Sequence, residues 1–182
     1  MTPFPELKTD RLLLRPFQLS DASDVQRLAG AKEVAAGTFL PHPYENGMAE
    51  QWIADQERAL EGGTAVSFAI TLADNATFIG SIGLEIVQSH RHARLGYWLG
   101  VPYWNQGYCT EAVSAVLRYG FMQLNLHRIY SPYFQGNTAS ERVLQKVGMT
   151  YEGRMREHYV RFGRFVDLEL YGMLQRDFTE RT

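Results

Sequence analysis

The residues whose types and spacing best suit chemistry lie between Leu99 and Glu111, where the chain reads LGVPYWNQGYCTE. The pattern predicts a strand ending at Leu99-Gly100, a loop, and a buried helix that begins after Gly107. The first N–H groups of a helix lack partners within it, and the helix dipole adds partial positive charge there. Because Gly107 has no Cβ, an anion can approach the main chain closely. The stretch predicts a pyrophosphate site, with an ordinary strand–turn–helix as the alternative.

Other side chains could move protons. Asn137 and Ser140 suit the N-cap and third positions of a short helix, which explains both structurally, and nothing further is inferred from their types and spacing alone. Glu85, within the strand-like GSIGLEIV, is a candidate general base, with a solvent-facing strand residue as the alternative. Glu111, one turn into its helix, suits the helix dipole. The final hairpin adds three alternative bases, namely Glu157, His158 and Tyr159.

The residue types that bind metals favour structural roles here. His90 and His92 could share a strand face as ligands, but Arg91 and Arg94 beside them oppose a bound cation, so we expect a solvated turn. Cys109 is the single cysteine, which excludes a disulfide framework and a thiolate zinc cluster. With no evident His/Asp relay in the sequence, its thiol is expected to pack rather than react. We therefore expect no metal.

Composition indicates one folded domain spanning residues 1–182. Hydrophobic residues make up 45% of the 182 and charged residues 21%, which excludes disorder and coiled coil. The Met1–Asp10 segment has no secretory pattern, and no apolar run reaches the roughly 20 residues of a membrane helix, so a cytoplasmic location is expected. The pI of about 6.2 argues against direct nucleic-acid binding. Residues 1–87 are acidic, while residues 88–148 carry six basic and two acidic residues, which suggests ligands of opposite sign or solvated charge.

The pattern of apolar residues predicts seven strands and four helices around a mixed sheet, an α/β or α+β layer fold. The predicted strands are Thr9–Arg15, Ala65–Leu72, Ala76–Val87, Ala93–Gly100, His127–Phe134, Met149–Tyr159 and Phe165–Leu174. The predicted helices are Ala22–Ala29, capped by Ser20 or Asp21, then Gly47–Leu60, Tyr108–Gln123 and Thr138–Val147.

Several segments together resemble one known family. PYWNQGYCTEA, TDRLLLRPF, GSIGLE and LHRIYSPYFQGNTASERVLQKVGMTYEG are similar, in order and spacing, to the GCN5-related N-acetyltransferases (GNAT), specifically to the RimJ/RimL-type N-terminal acetyltransferases. The resemblance runs from about Thr9 to Leu174. Its most specific part is the loop followed in register by N-x-x-S and K-x-G-M-x-x-E-G. It implies a single GNAT domain that transfers an acetyl group from acetyl-CoA to an amine by direct attack.

The resemblance also implies roles for individual residues. Main-chain donors to the pyrophosphate would come from Asn105, Gln106, Gly107, Tyr108, Cys109 and Thr110. The backbone of Trp98, Leu99 and Val101 would pair with pantetheine and polarise the thioester carbonyl. Asn137 would contact the pantetheine arm, and Ser140 would lie near its sulfur, where its hydroxyl could protonate the leaving thiolate. Arg142 could approach the adenosine phosphates, with solvent exposure as the alternative. The family usually has Gln or Arg where this chain has Trp104, and Gly or Ala where it has Cys109.

The identity of the acceptor stays open at this level. A protein N-terminal α-amine is the leading expectation, with a polyamine or antibiotic amine, or another acyl donor, as alternatives. A sensor that binds acyl-CoA without turnover is an alternative of another class. We also hypothesise that acids such as Glu45, Glu50 and Asp55 wall the acceptor site and favour a cationic amine. The resemblance makes a homodimer an expectation.

Overall fold

Segments of alternating apolar and polar residues form strands, and these strands pair into one mixed sheet of eight. A computed structural model describes residues 5–179; residues 1–4 and 180–182 of the predicted domain lie outside them. The strands are β1 (Leu7–Lys8), β2 (Leu12–Arg15), β3 (Ala65–Leu72), β4 (Phe78–Val87), β5 (His92–Leu99), β6 (Arg128–Phe134), β7 (Thr150–Arg161) and β8 (Arg164–Leu174). The helices are α1 (Ala22–Ala29), α2 (Lys32–Gly37), α3 (Met48–Glu61), α4 (Tyr108–Met122) and α5 (Thr138–Lys146).

The strand order in the sheet is β1-β2-β3-β4-β5-β6-β8-β7. Among the described strands, β5 and β6 form the one parallel pair, and every other neighbouring pair is antiparallel. A parallel connection needs a crossover, which α4 provides between β5 and β6. The antiparallel pairing of the sheet is therefore interrupted near its centre, between β5 and β6.

Helices cover both faces of the sheet and give three layers. Helices α4 and α5 pack on one face, where Ala112 and Leu144 join the larger core cluster. Helices α1 and α3 pack on the other, where Val25 and Ile53 join a second cluster. Successive residues of a strand point to opposite faces of the sheet, so the strands contribute buried side chains to the core on both faces. None of the helices within residues 5–179 combines the length and apolar character needed to span a bilayer.

The predicted fold class is confirmed, with two short elements added. Helix α2 and strand β1 are too short to leave a periodic pattern, and the sequence analysis missed both. The first predicted strand begins at Leu12 rather than Thr9, because Thr9 N–H bonds the Leu12 carbonyl in a turn at 3.0 Å. The other predicted strands and helices lie within two residues of the observed bounds.

Asp21 is the N-cap residue of α1, one of the two predicted, but the expected side-chain bond is missing. Neither Ser20 nor Asp21 makes a side-chain cap bond to this helix. The Asp21 carboxylate instead accepts two hydrogen bonds from Arg15, at 2.8 and 2.7 Å, and a third from the Gln18 N–H at 2.8 Å. Only 14% of the Arg15 side chain and 7% of Asp21 are exposed. The hydrogen bond to Asp21 raises the pKa of Arg15 above its ordinary value despite burial.

This pair predicts a measurable contribution to stability. Asp21→Asn should lower the free energy of unfolding by about 3 kcal/mol or more, because the substitution leaves a buried guanidinium without its counter-charge. Urea unfolding at neutral pH measures the change. Asp24→Asn is the matched control, because Asp24 and its partner Arg27 are 43% and 60% exposed and such pairs contribute ~1 kcal/mol or less. Similar small losses in both variants would contradict the role given to Asp21.

Candidate active site

The loop between β5 and α4 gathers unpaired backbone donors. Gly107 is the N-cap of α4 with φ of +83°, the left-handed region that favours glycine. Within the described part of the chain, the N–H groups of Gly107, Tyr108, Cys109 and Thr110 have no acceptor, and the first helical bond runs from Glu111 N–H to Gly107. Residues 104–107 are exposed. The structure thus brings the predicted donors, Asn105 to Thr110, together at a helix N-terminus.

Two side chains hold this loop in shape, and one of them bonds the last residue of β5. The Trp104 indole Nε1 donates to the Leu99 carbonyl at 2.8 Å, and Gln106 Nε2 donates to the Pro102 carbonyl at 2.9 Å. The tryptophan that departs from the family pattern therefore has a structural role. The bond takes one of the two lone pairs of the Leu99 carbonyl. Val101 lies in the exposed turn that follows.

A second anchor comes from the N-terminal segment, and the sequence analysis did not identify it. Arg11 donates from Nε to Glu111 Oε2 at 2.8 Å and from Nη1 to the Gln106 carbonyl at 2.9 Å. Its guanidinium carbon lies 4.6 Å from the centre of the Tyr108 ring. Thr9 Oγ1 donates to Glu111 Oε1 at 2.6 Å. Burial alone would raise the pKa of Glu111, but the hydrogen bonds from Thr9 and Arg11 outweigh it and hold that pKa below its ordinary value.

The sheet opens beside this loop. Strands β5 and β6 pair at three positions, which end at Arg94 opposite Tyr130. Beyond them the Ser131 hydroxyl donates to the Leu95 carbonyl at 3.1 Å, and the ladder stops. Beyond this point β5 has no paired strand on its β6 side, so the backbone groups of Tyr97 that point away from β4 face a gap. The pairing of this segment with another amide-bearing chain stays a prediction.

A cavity of about 360 Å³ occupies the opening, a size usual for small-ligand sites. Residues from the loop after α2, from α3, from strands β3 to β6 and from α5 line it. Both predicted catalytic residues, Ser140 and Glu85, lie on its wall, and so do Tyr97 and Trp98. The structure thus places residues that are 55 positions apart in the sequence on one cavity.

Asn137 is the N-cap of α5, as predicted. Its Oδ1 accepts from the Ser140 N–H at 3.1 Å. Its Nδ2 donates to the Gly37 carbonyl at the end of α2, at 3.0 Å, a contact that no sequence pattern indicated. Both ends of the amide are therefore bonded within the protein. Tyr97, half-buried in the cavity wall, donates from its hydroxyl to the Ser140 carbonyl at 3.4 Å, and burial raises the pKa of Tyr97.

Glu85 forms an ion pair inside this site. Arg94, directly opposite on β5, donates from Nε to Glu85 Oε2 at 3.0 Å, and its guanidinium lies 5.5 Å from the Phe39 ring centre. The Glu85 side chain is 63% exposed, so it is both a cavity residue and in contact with solvent. The three alternative bases from the hairpin, Glu157, His158 and Tyr159, do not line the cavity.

The expected acidic wall is wrong for this cavity. Glu45, Glu50 and Asp55 do not line it. Glu50 borders a second cavity, of about 500 Å³, between α3 and the Pro16–Leu19 segment. Asp55 pairs with Arg58 on the exposed side of α3. Among the lining residues within 5–179, Glu85 is the one acid, and Arg94 balances it.

The remaining candidates have structural surroundings. Burial raises the pKa of the Cys109 thiol to about 12, which keeps it protonated at neutral pH, as expected for a packed cysteine. The rings of His90 and His92 stack with their centres 5.8 Å apart, and within residues 5–179 no group of three or more side chains suits a metal ion. Arg142 lies on the exposed side of α5.

Known proteins share both this sequence pattern and this architecture. The model of the acetyltransferase (GNAT) domain family matches residues 11–150. The uncharacterized N-acetyltransferase YoaA of Bacillus subtilis is 31% identical over 173 residues, which span 94% of this chain and 98% of the relative.

Solved structures agree with the observed fold. A GNAT-family acetyltransferase from Bacillus anthracis has a TM-score of 0.84 at 25% identity, covering 94% of this chain and 99% of that one. RimL, a ribosomal L7/L12 alpha-N-protein acetyltransferase in complex with coenzyme A, has a TM-score of 0.86 at 18% identity, covering 93% and 98%. Since the family model covers most of the chain and YoaA matches nearly all of it, the chain belongs to the GNAT family of acetyl-CoA-dependent N-acetyltransferases.

Proposed function

We propose that this enzyme acetylates the N-terminal α-amine of a protein in the cytoplasm. The observation that carries the proposal is the opening between β5 and β6. A cavity fills it, and among the described lining residues Glu85 is the single acid and is balanced by Arg94. The donor-rich N-terminus of α4 follows β5 in the chain. One end suits a polyanionic co-substrate and the other a small amine that carries no further positive charge.

The chain's groups fit acetyl-CoA at the first end. The unpaired N–H groups of residues 107–110 would hold the diphosphate, with further main-chain contacts from Asn105 and Gln106. The free edge of β5 would pair with the pantetheine amides, and Asn137 would reach them through the second lone pair of Oδ1. Arg142, exposed on α5, is proposed to meet the adenosine phosphates. When bound, acetyl-CoA supplies an acetyl group activated as a thioester.

The catalytic work then falls to groups around the cavity. A backbone N–H of the open β5 edge would stabilise negative charge on the carbonyl oxygen. The Ser140 hydroxyl would hold the proton that the departing sulfur needs, while the cap at Asn137 and the contact from Tyr97 position that helix turn. The Glu85 carboxylate would take a proton from the incoming ammonium. An α-amine has an ordinary pKa of about 7.7–8.0, so part of it is already unprotonated at neutral pH and a dedicated strong base is not required.

The charge balance of the cavity favours an α-amine over a polyamine. A polyamine carries several ammonium groups, and each requires a carboxylate or an equivalent acceptor when it leaves water. Glu85 is the single lining acid and is already paired. The RimL structure, which is named for alpha-N-protein acetylation, supports the same choice of acceptor. The homodimer that the resemblance implies stays a prediction.

The acceptor class can be tested with a panel of amines. Peptides with a free N-terminal alanine, serine or methionine should release free thiol from acetyl-CoA, whereas the same peptides with a blocked N-terminus but a free lysine should not. Mass spectrometry locates the added acetyl group. Faster turnover of spermidine than of every peptide would contradict the proposed acceptor. Absence of thiol release with all amines, despite binding of coenzyme A, would favour an acyl-CoA sensor.

Ser140 should matter for turnover rather than for binding. Ser140→Ala should lower kcat by about 100-fold, the usual effect of removing a general acid, with little change in the KM for the peptide. Steady-state kinetics measure both constants. Ser114→Ala is the matched control, since Ser114 is exposed on α4 and bonds the Thr110 carbonyl. An unchanged kcat for Ser140→Ala would remove the serine from the mechanism.

The Glu85 carboxylate should raise kcat/KM only at pH values where the amine is protonated. At pH 7 about one amine in ten with a pKa near 8 is unprotonated, so Glu85→Gln should lower kcat/KM by about tenfold there. The deficit should fade above about pH 9, where the amine has lost its proton without help. Rate profiles from pH 6.5 to 9.5 for Glu85→Gln and the control Glu50→Gln measure this. A deficit that stays constant with pH would indicate that the Glu85–Arg94 pair only holds the cavity in shape.

A further inference from the structure

Arg11 places a guanidinium against the loop before α4, although nothing in the proposed chemistry uses it. It contacts three successive parts of that region, the Gln106 carbonyl at 2.9 Å, the Tyr108 ring at 4.6 Å and the Glu111 carboxylate at 2.8 Å. A Cβ on Gly107 would lie 3.2 Å from Arg11 Nη2. The guanidinium therefore lies directly beside the glycine at which the backbone donors begin.

Glu111 creates an electrostatic conflict at this position. Its carboxylate lies in the first turn of α4 and is only 18% exposed, and its lowered pKa keeps it ionised at neutral pH. A negative charge suits a helix N-terminus when nothing else binds there. It opposes a diphosphate on the same turn, because like charges repel strongly where water is partly excluded. The loop needs a cation to cancel Glu111 before it can hold a polyanion.

Arg11 meets that need and retains donors for a ligand. Its contact with Glu111 is 2.7 Å from Nη2 to Oε2, and 48% of its side chain is exposed. The two terminal nitrogens carry four N–H groups, and contacts with Glu111 and Gln106 account for two of them. Arginine suits phosphate because its planar donors match two oxygens at once.

We propose that Arg11 is a diphosphate-binding residue of the co-substrate site: it cancels the charge of Glu111 and donates to a phosphate oxygen beside Gly107. The inference rests on the proposed binding of acetyl-CoA. It assigns a specific ligand, the diphosphate of a nucleotide thioester, to a residue about 100 positions from the loop.

Calorimetric titration with two ligands, coenzyme A and dephospho-coenzyme A, tests the assignment. Dephospho-coenzyme A keeps the diphosphate but lacks the 3′-phosphate. Arg11→Ala should weaken both by about tenfold or more, the size of one lost charge-assisted hydrogen bond. Arg11→Lys, which keeps the charge without the planar donors, should fall between Arg11→Ala and the parent. Arg27→Ala, an exposed arginine on α1, is the matched control and should bind both ligands as the parent does.

Glu111→Gln separates this role from simple anchoring of the loop, because the two predict opposite signs. If Arg11 acts on the phosphate, Glu111→Gln binds coenzyme A as tightly as the parent or more tightly, and Arg11→Ala with Glu111→Gln regains part of the loss. Weaker binding of coenzyme A by Glu111→Gln than by the parent would overturn the proposal. So would an Arg11→Ala variant that loses affinity for coenzyme A but not for dephospho-coenzyme A, because that result would assign the contact to the 3′-phosphate. Failure of the parent to bind coenzyme A would instead refute the proposed function.

Discussion

The parting of β5 from β6 is the constraint on which the rest of the site depends. Parallel strands send the helices that follow them out of the same edge of the sheet. Helix α4 follows β5 and α5 follows β6, so both N-termini meet at the edge where the two strands separate. The gap and the two clusters of helix donors therefore arise from one topological feature. Ser131, bonded to the Leu95 carbonyl, ends the paired part of the ladder, and beyond it β5 has no paired strand on that side.

Contacts between distant segments hold this opening in shape. Arg11 and Glu111 are 100 residues apart, as are Gly37 and Asn137, and Arg161 on the final hairpin donates to the Ala35 carbonyl. Each contact fastens a loop or helix end at the rim of the site to an element of the N-terminal half or of the hairpin. Because these contacts already order the rim of the site, less conformational entropy is lost there when a ligand binds.

Local rules explain which parts of the site the sequence could predict. Periodicity and capping depend on neighbours within about four residues, so the helix starts at Gly107 and Asn137 were predicted correctly. Arg11 could not be assigned, because no local pattern pairs it with Glu111. The side chain of Asp21 was predicted to cap α1 because its type suits an N-cap. Its carboxylate instead bonds the nearby Arg15, whose guanidinium is a stronger partner than a helix N–H group. Helix α2, with six residues, is too short for a periodic signal.

The expected acidic wall failed for a related reason, and its failure clarifies the electrostatics of the enzyme. Charge summed over residues 1–87 is acidic, but a substrate responds to the charges that line its own cavity. There the cross-strand partner Arg94 cancels Glu85, and the acids of α3 lie elsewhere. At the other end of the opening, Arg11 cancels Glu111 while the helix N-terminus remains positive. A carboxylate neutralised by an arginine thus occurs at both ends of the opening.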